Sequence, residues 1–98
     1  MNMQQIMAQA QKMQRDITSK KNAIDAMDFV GKSDWVEIGF KGSKEVKFVN
    51  ITNDDAFDIE NKDILSDMIL LAIKDGLNKI DKETEAKLGS YANMGGLF

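Results

Sequence analysis

The chain of 98 residues has no cysteine, no histidine and no proline. Lacking the first two, it has no disulfides, no thiolate chemistry, no imidazole base and none of the usual zinc sites. That composition fits a reducing compartment. Aromatic residues are scarce, with one Trp and one Tyr beside five Phe. Trp35 precedes a strand pattern and reads as a packing residue, Tyr91 falls in the tail, and neither resembles a platform for stacking single-stranded bases. The longest apolar run, Met68 to Ile73, is far too short to span a bilayer. Met1 opens into a Gln-rich amphipathic stretch rather than a secretory hydrophobic region. No glycine loop suits a phosphate, because Gly95-Gly96 is followed by no helix, and Asp54, Asp55, Asp58 and Glu60 lack the spacing and glycine of a calcium loop. Carboxylates without histidine or thiol make a poor catalytic set. A cytoplasmic, non-enzymatic protein with no metal and no cofactor is therefore expected.

The first 27 residues carry the strongest pattern. Met3, Ile6, Ala10, Met13, Ile17, Ile24 and Met27 recur by threes and fours, broken only by Lys20. This is a heptad seam, a narrow apolar stripe suited to packing on another helix. Some 24 residues of helix would run about 36 Å, more than a compact body of this length would cover. The helix should project, and a projecting seam calls for a partner, most simply a second copy. A seam closing onto the chain's own second helix, in a monomer, is the other solution.

After a short extended segment at Asp28-Phe29-Val30-Gly31, Val36, Ile38 and Phe40 alternate with Glu37, Gly39 and Lys41, the period of a half-buried strand. Lys41-Gly42-Ser43-Lys44 reads as a hairpin turn, with Gly42 free to take positive φ. In the return strand, Glu45 to Thr52, the alternation changes phase between Val46/Phe48 and Val49/Ile51. A bulge near Phe48 would reconcile the two, as would burial on both faces, and the second is preferred. An acidic connector with one helical turn around Ala56-Phe57 leads to a second helix over 62–88, capped by Asn61 or Asp63. That helix is apolar almost all round between Ile64 and Ile73, so it should pack on its own sheet and on a second protomer through Met68, Ile69, Leu71, Ala72 and Ile73. Gly76, unfavourable in a helix interior, marks a close backbone approach. The whole reads as a single α+β domain: helical arm 1–27, three-stranded antiparallel sheet 28–52, second long helix 62–88, flexible tail 89–98.

Several blocks carry a family likeness. Met1-Asn2-Met3-Gln4-Gln5-Ile6-Met7 with Gln9 to Gln14, the hairpin residues Val36-Glu37-Ile38, Gly42, Glu45-Val46, Val49 and Ile51, the run Asp63 to Lys79, and the Gly95-Gly96-Leu97-Phe98 ending together resemble the YbaB/EbfC family of bacterial nucleoid-associated proteins. The likeness spans nearly the whole chain. It departs at Gly31-Lys32-Ser33-Asp34-Trp35, where the family often has a glycine-rich lead, in the absence of proline, and at Gly76, where alanine is more usual. The resemblance implies a two-fold dimer joined through sheets and central helices. Its helical arms would hold duplex DNA with little sequence preference, in the nucleoid.

The charge pattern can be weighed against that. The net charge is -3, yet residues 1–27 hold Lys12, Arg15, Lys20 and Lys21 against Asp16 and Asp25 only. Fields decay within about 8–10 Å at physiological salt, so a basic arm on an acidic body can still attract phosphate. On a helical wheel Arg15 lies almost opposite the seam, flanked by Gln4, Gln11, Ser19 and Asn22, with Lys12 on the shoulder, Lys21 on the seam's flank and Lys20 within it. These side chains suit phosphates and sugars; a merely solvated face has the same composition. Candidate DNA contacts are Lys12, Arg15, Lys20 and Lys21, with Lys79 and Lys82 of the second helix. The Asp75/Lys79 and Glu83/Lys87 pairs also read as ordinary (i, i+4) supports, and Lys41, Lys44 and Lys47 as edge charges. A dimeric protein-docking module, using the Met-rich seam, is the alternative function.

Overall fold

The computed structural model describes residues 2–94. Helix α1 (Met3–Asp25) starts where the Asn2 side chain accepts the Gln5 amide at 2.9 Å, a regular N-cap. Strands β1 (Asp28–Lys32), β2 (Val36–Lys41) and β3 (Val46–Ile51) follow, joined in that order into one antiparallel sheet. Two 3₁₀ turns, Asp54–Phe57 and Ile59–Asn61, lead into helix α2 (Lys62–Leu88). The expected α+β order is the observed one.

The core is the contact between one sheet face and α2. Val36, Ile38 and Phe40 of β2 are buried against Ala72 and Ile80, with Phe29, Leu65, Met68, Ile69, Ile73 and Leu77 packed round them. Small residues let the backbones approach. A Cβ on Gly31 would fall on the Ala72 carbonyl oxygen and the Gly76 amide, while one on Gly76 would fall on the Phe40 ring. Gly76 is thus the close approach its sequence position suggested. Since the obstacles to a Gly31 side chain are backbone atoms, they cannot swing aside.

Strand β3 differs from expectation. Phe48 pairs with Gly39 and Val46 with Phe40, so Lys47 is the extra residue of a β-bulge. The bulge places Val46, Val49 and Ile51 on the helix-facing side, cross-strand from Phe40, Ile38 and Val36, and Phe48 on the other, its ring lying over Gly39. All six residues of β3 are exposed in the protomer, so burial on both faces gives way to the bulge as the account of the phase change. At the hairpin the left-handed residue is Lys44 (φ 75°), not Gly42. Gly42 is needed for another reason: the Ile24 carbonyl of α1 presses where its side chain would be. Asn61 does not cap α2 with its side chain, which donates instead to the Asp55 carbonyl at 2.9 Å and folds the connector onto itself.

The seam of α1 divides. Ile17 and Ile24 are buried with Leu88 of α2, and Met13 and Tyr91 flank them, while Met3, Ile6 and Met7 are exposed. Half of it therefore closes within the chain, and the rest projects. The protomer measures 70 × 21 × 15 Å with a radius of gyration of 19.2 Å, against about 13 Å for a compact chain of this length. Gly89–Met94, expected to be flexible, continue α2 as a 3₁₀ helix; residues 95–98 of that tail lie outside the described residues.

The Gly31 contact yields a direct expectation. Gly31→Ala should destabilise the protein by about 3 kcal/mol, the upper range for overpacking, because backbone has to move. Urea unfolding measures it, and a loss below about 0.5 kcal/mol would mean the two backbones separate easily.

Candidate nucleic-acid interface

Six cations were candidates from sequence, and their surroundings separate them. Lys12 and Arg15 are exposed, Lys12 just beyond the packed stretch of α1 and Arg15 on the outer face between Met13 and Ile17, and neither has a carboxylate within ion-pair distance among the described residues. Gln14, Arg15, Thr18, Ser19 and Asn22 line a shallow concavity on this outer face. Lys21 is exposed but bonded to Asp25 at 2.7 Å, one turn on. Lys20, which interrupts the seam, carries its ammonium 5.4 Å from the centre of the Tyr91 ring, a cation–π contact. Lys82, on α2, is exposed and has no paired acid among the described residues.

Lys79 is committed elsewhere. Its ammonium donates to the Val30 carbonyl at 2.8 Å and pairs with Asp75 at 3.0 Å, while Asp75 accepts the Lys32 amide at 2.9 Å. Both partners belong to the outer edge of β1. One (i, i+4) pair on the helix thus meets an unpaired donor and an unpaired acceptor of the edge strand, where a further strand would otherwise add. The Glu83/Lys87 pair, at 3.8 Å, is an ordinary surface support.

The five residues expected at a dimer surface also separate. Ala72 is wholly enclosed by the chain's own sheet, which leaves it nothing to offer a partner and corrects its place in that set. Met68, Ile69 and Ile73 are half-buried against the same core, and Leu71 is exposed. Sequence reasoning missed the exposed helix-side row of β3, Val46, Val49 and Ile51, and the packing of Leu88 and Tyr91 on the arm. Both had a signal. A bulge would put the first three residues on one face, and Leu77, Ile80, Thr84, Leu88 and Tyr91 follow helical spacing past Gly89.

No helix among the described residues is long and apolar enough to cross a membrane. A three-stranded sheet backed by one helix, with a second helix projecting cations beyond the body, defines a small α+β protein with a basic arm. The chain belongs to the YbaB/EbfC DNA-binding family, whose model matches residues 1–97. It is 42% identical over 93 residues to a nucleoid-associated protein of Lactobacillus acidophilus, covering 93% of this chain and 83% of that one. A nucleoid-associated protein of Enterococcus faecalis is 39% identical over 92 residues, covering 92% and 88%. The fold is shared with the crystal structure of an uncharacterised Helicobacter pylori protein, with a TM-score of 0.74 at 19% identity over 98% of this chain and 99% of that one.

The edge contact titrates. The Lys32 amide, then the Lys79 ammonium, hold the Asp75 carboxyl below the usual carboxylate range. A value lowered by folding stabilises fully above the unfolded value, near pH 4, and the contribution is lost as pH falls through the folded value. Asp75→Asn should therefore flatten part of the stability loss as pH falls below about 4 in urea unfolding. Asp28, held low by Lys47, should retain its share. An undiminished acid loss in the variant would place the sensitivity away from this edge.

Proposed function

We propose that this chain is a non-enzymatic, homodimeric DNA-binding protein of the bacterial nucleoid that grips duplex DNA by phosphate contacts from its arms, with little sequence preference. The observation that carries the reading is the exposure of Lys12 and Arg15 on the outer face of the arm, free of acidic partners among the described residues. The family membership and the names of the relatives support the nucleic acid and the nucleoid. Lys82 is a further cation unpaired among the described residues, and Lys20 and Lys21 can contribute by leaving Tyr91 and Asp25. Lys79 is the weakest of the six, because binding phosphate would uncover the edge of β1.

The dimer is proposed to form on the uncovered flank. The β1 edge is occupied by Asp75 and Lys79, whereas β3 is an edge strand with Val46, Phe48, Val49 and Ile51 exposed. Exposed Ile64, Leu70 and Leu71 of α2 add apolar surface, and the outer parts of Met68, Ile69 and Ile73 would complete it. Patches of this kind mark association surfaces. Leu71→Glu should reduce the light-scattering mass from twice 11.0 kDa to 11.0 kDa with helix content kept. A mass unchanged by both Leu71→Glu and Val49→Asp would put the two-fold elsewhere.

Fluorescence anisotropy on a random-sequence duplex tests the grip. Two arms bring four cations from Lys12 and Arg15, so log K should fall against log salt with a slope near -3.6, about -0.9 per phosphate. Arg15→Glu should bring the slope towards roughly -1.8 and weaken binding about tenfold or more at low salt. Salt-insensitive binding, or binding indifferent to Arg15, would remove the arm from the interface. The protein-docking alternative draws on exposed Ile6, opposite Arg15 on the arm, with exposed Met3 and Met7 beside it. A partner docked there should tolerate Arg15→Glu and be lost with Ile6→Glu.

A further inference from the structure

Helix α1 touches the body at two places. At its C-terminal end the Ile24 carbonyl rests on Gly42 of the hairpin. Further out, Ile17 is buried with Leu88, and Met13 and Tyr91 flank them. Ile17 is seven positions from Ile24, about 10 Å of helix, and from Ile24 to Met3 the helix runs about 31 Å. The arm is thus a lever of about threefold advantage: a shift of 1 Å at Ile17 moves the tip by roughly 3 Å. Whatever holds the outer contact fixes the tip.

Two observations converge on Tyr91 as that holder. It lies on the 3₁₀ helix Gly89–Met94, which carries α2 beyond Leu88 and along the arm. Its ring also receives the Lys20 ammonium at 5.4 Å, which gives an otherwise disruptive cation in the apolar seam a place against an aromatic face. With the ring removed, Lys20 would favour water, and the Ile17–Leu88 contact would lose its outer flank.

We propose that Tyr91 is the positioning residue of the arm: it fixes the direction of α1 relative to the body and so presets the reach of the cations at Lys12 and Arg15. Its bearing on DNA rests on the arm reading above; its bearing on geometry does not. A preset arm binds without first being ordered, so the loss of Tyr91 should weaken binding by roughly three- to tenfold, the scale of immobilising one or two long side chains. No phosphate contact is removed, so the salt slope should not become shallower. That separates Tyr91→Ala from Arg15→Glu.

The chain has no cysteine, so spin labels can be placed at Ala8→Cys on the arm and Asp34→Cys on the body without competing sites. Doubly labelled chain diluted into unlabelled chain reports the tip-to-body distance by pulsed electron paramagnetic resonance, without DNA. The expected result is one narrow distance in the parent, a broad or displaced distribution in Tyr91→Ala with helix content kept, and recovery in Tyr91→Phe, which retains ring and packing. A narrow, unmoved distance in Tyr91→Ala overturns the proposal. A broadened distance with unchanged duplex affinity overturns its link to DNA binding. If Arg15→Glu also leaves binding intact, the arm reading itself has failed, and the distance data still decide what Tyr91 does.

Discussion

Helix α2 lies on β1 with almost no side-chain volume between them, because Gly31 meets the Ala72 carbonyl and the Gly76 amide directly. Backbone held so close puts the middle turns of the helix within side-chain reach of the strand's outer edge. Asp75 and Lys79 can then bond the Lys32 amide and the Val30 carbonyl. It also displaces the helix towards β1 and β2, leaving the helix side of β3 without cover. Tight packing at one flank thus closes one sheet edge and opens the other, and the same contact that stabilises the protomer orients its apolar surface outward.

Periodicity carried the fold well where each element answers to one neighbour. The alternation through Val36, Ile38 and Phe40 marks the buried face of β2, and the spacing of Ile17 and Ile24 marks the buried stripe of α1. It carried less where a residue answers to something distant in sequence. The phase change in β3 came from an inserted Lys47, and a strand pattern does not separate a bulge from two buried faces. Gly42 suggested a turn conformation but serves a carbonyl of α1, a contact no local pattern encodes. The residues after Leu88 read as a flexible tail, yet the chain goes on as a 3₁₀ helix with Tyr91 against the arm.

The candidate cations show the same limit. Lys12, Arg15, Lys21 and Lys79 look alike as letters, and only their neighbours distinguish a free charge from one spent on Asp25 or on the edge of β1. The chain is acidic overall, at a net charge of -3. Over distances beyond a Debye length that total matters little, and the potential near the arm is set by charges along the arm itself. An acidic protein with basic limbs would bind polyanions locally while its bodies repel one another, which limits crowding on a shared duplex.

The extension of the protomer also affects how it moves through solvent. A particle 70 Å long and 21 by 15 Å across experiences far more friction than a sphere of its mass, so it diffuses and sediments slowly and passes early through a porous gel. Judged by gel filtration against globular standards, a single 11.0 kDa chain would register as something heavier. Methods that weigh the particle directly, rather than infer mass from its drag, are the ones that count its subunits correctly.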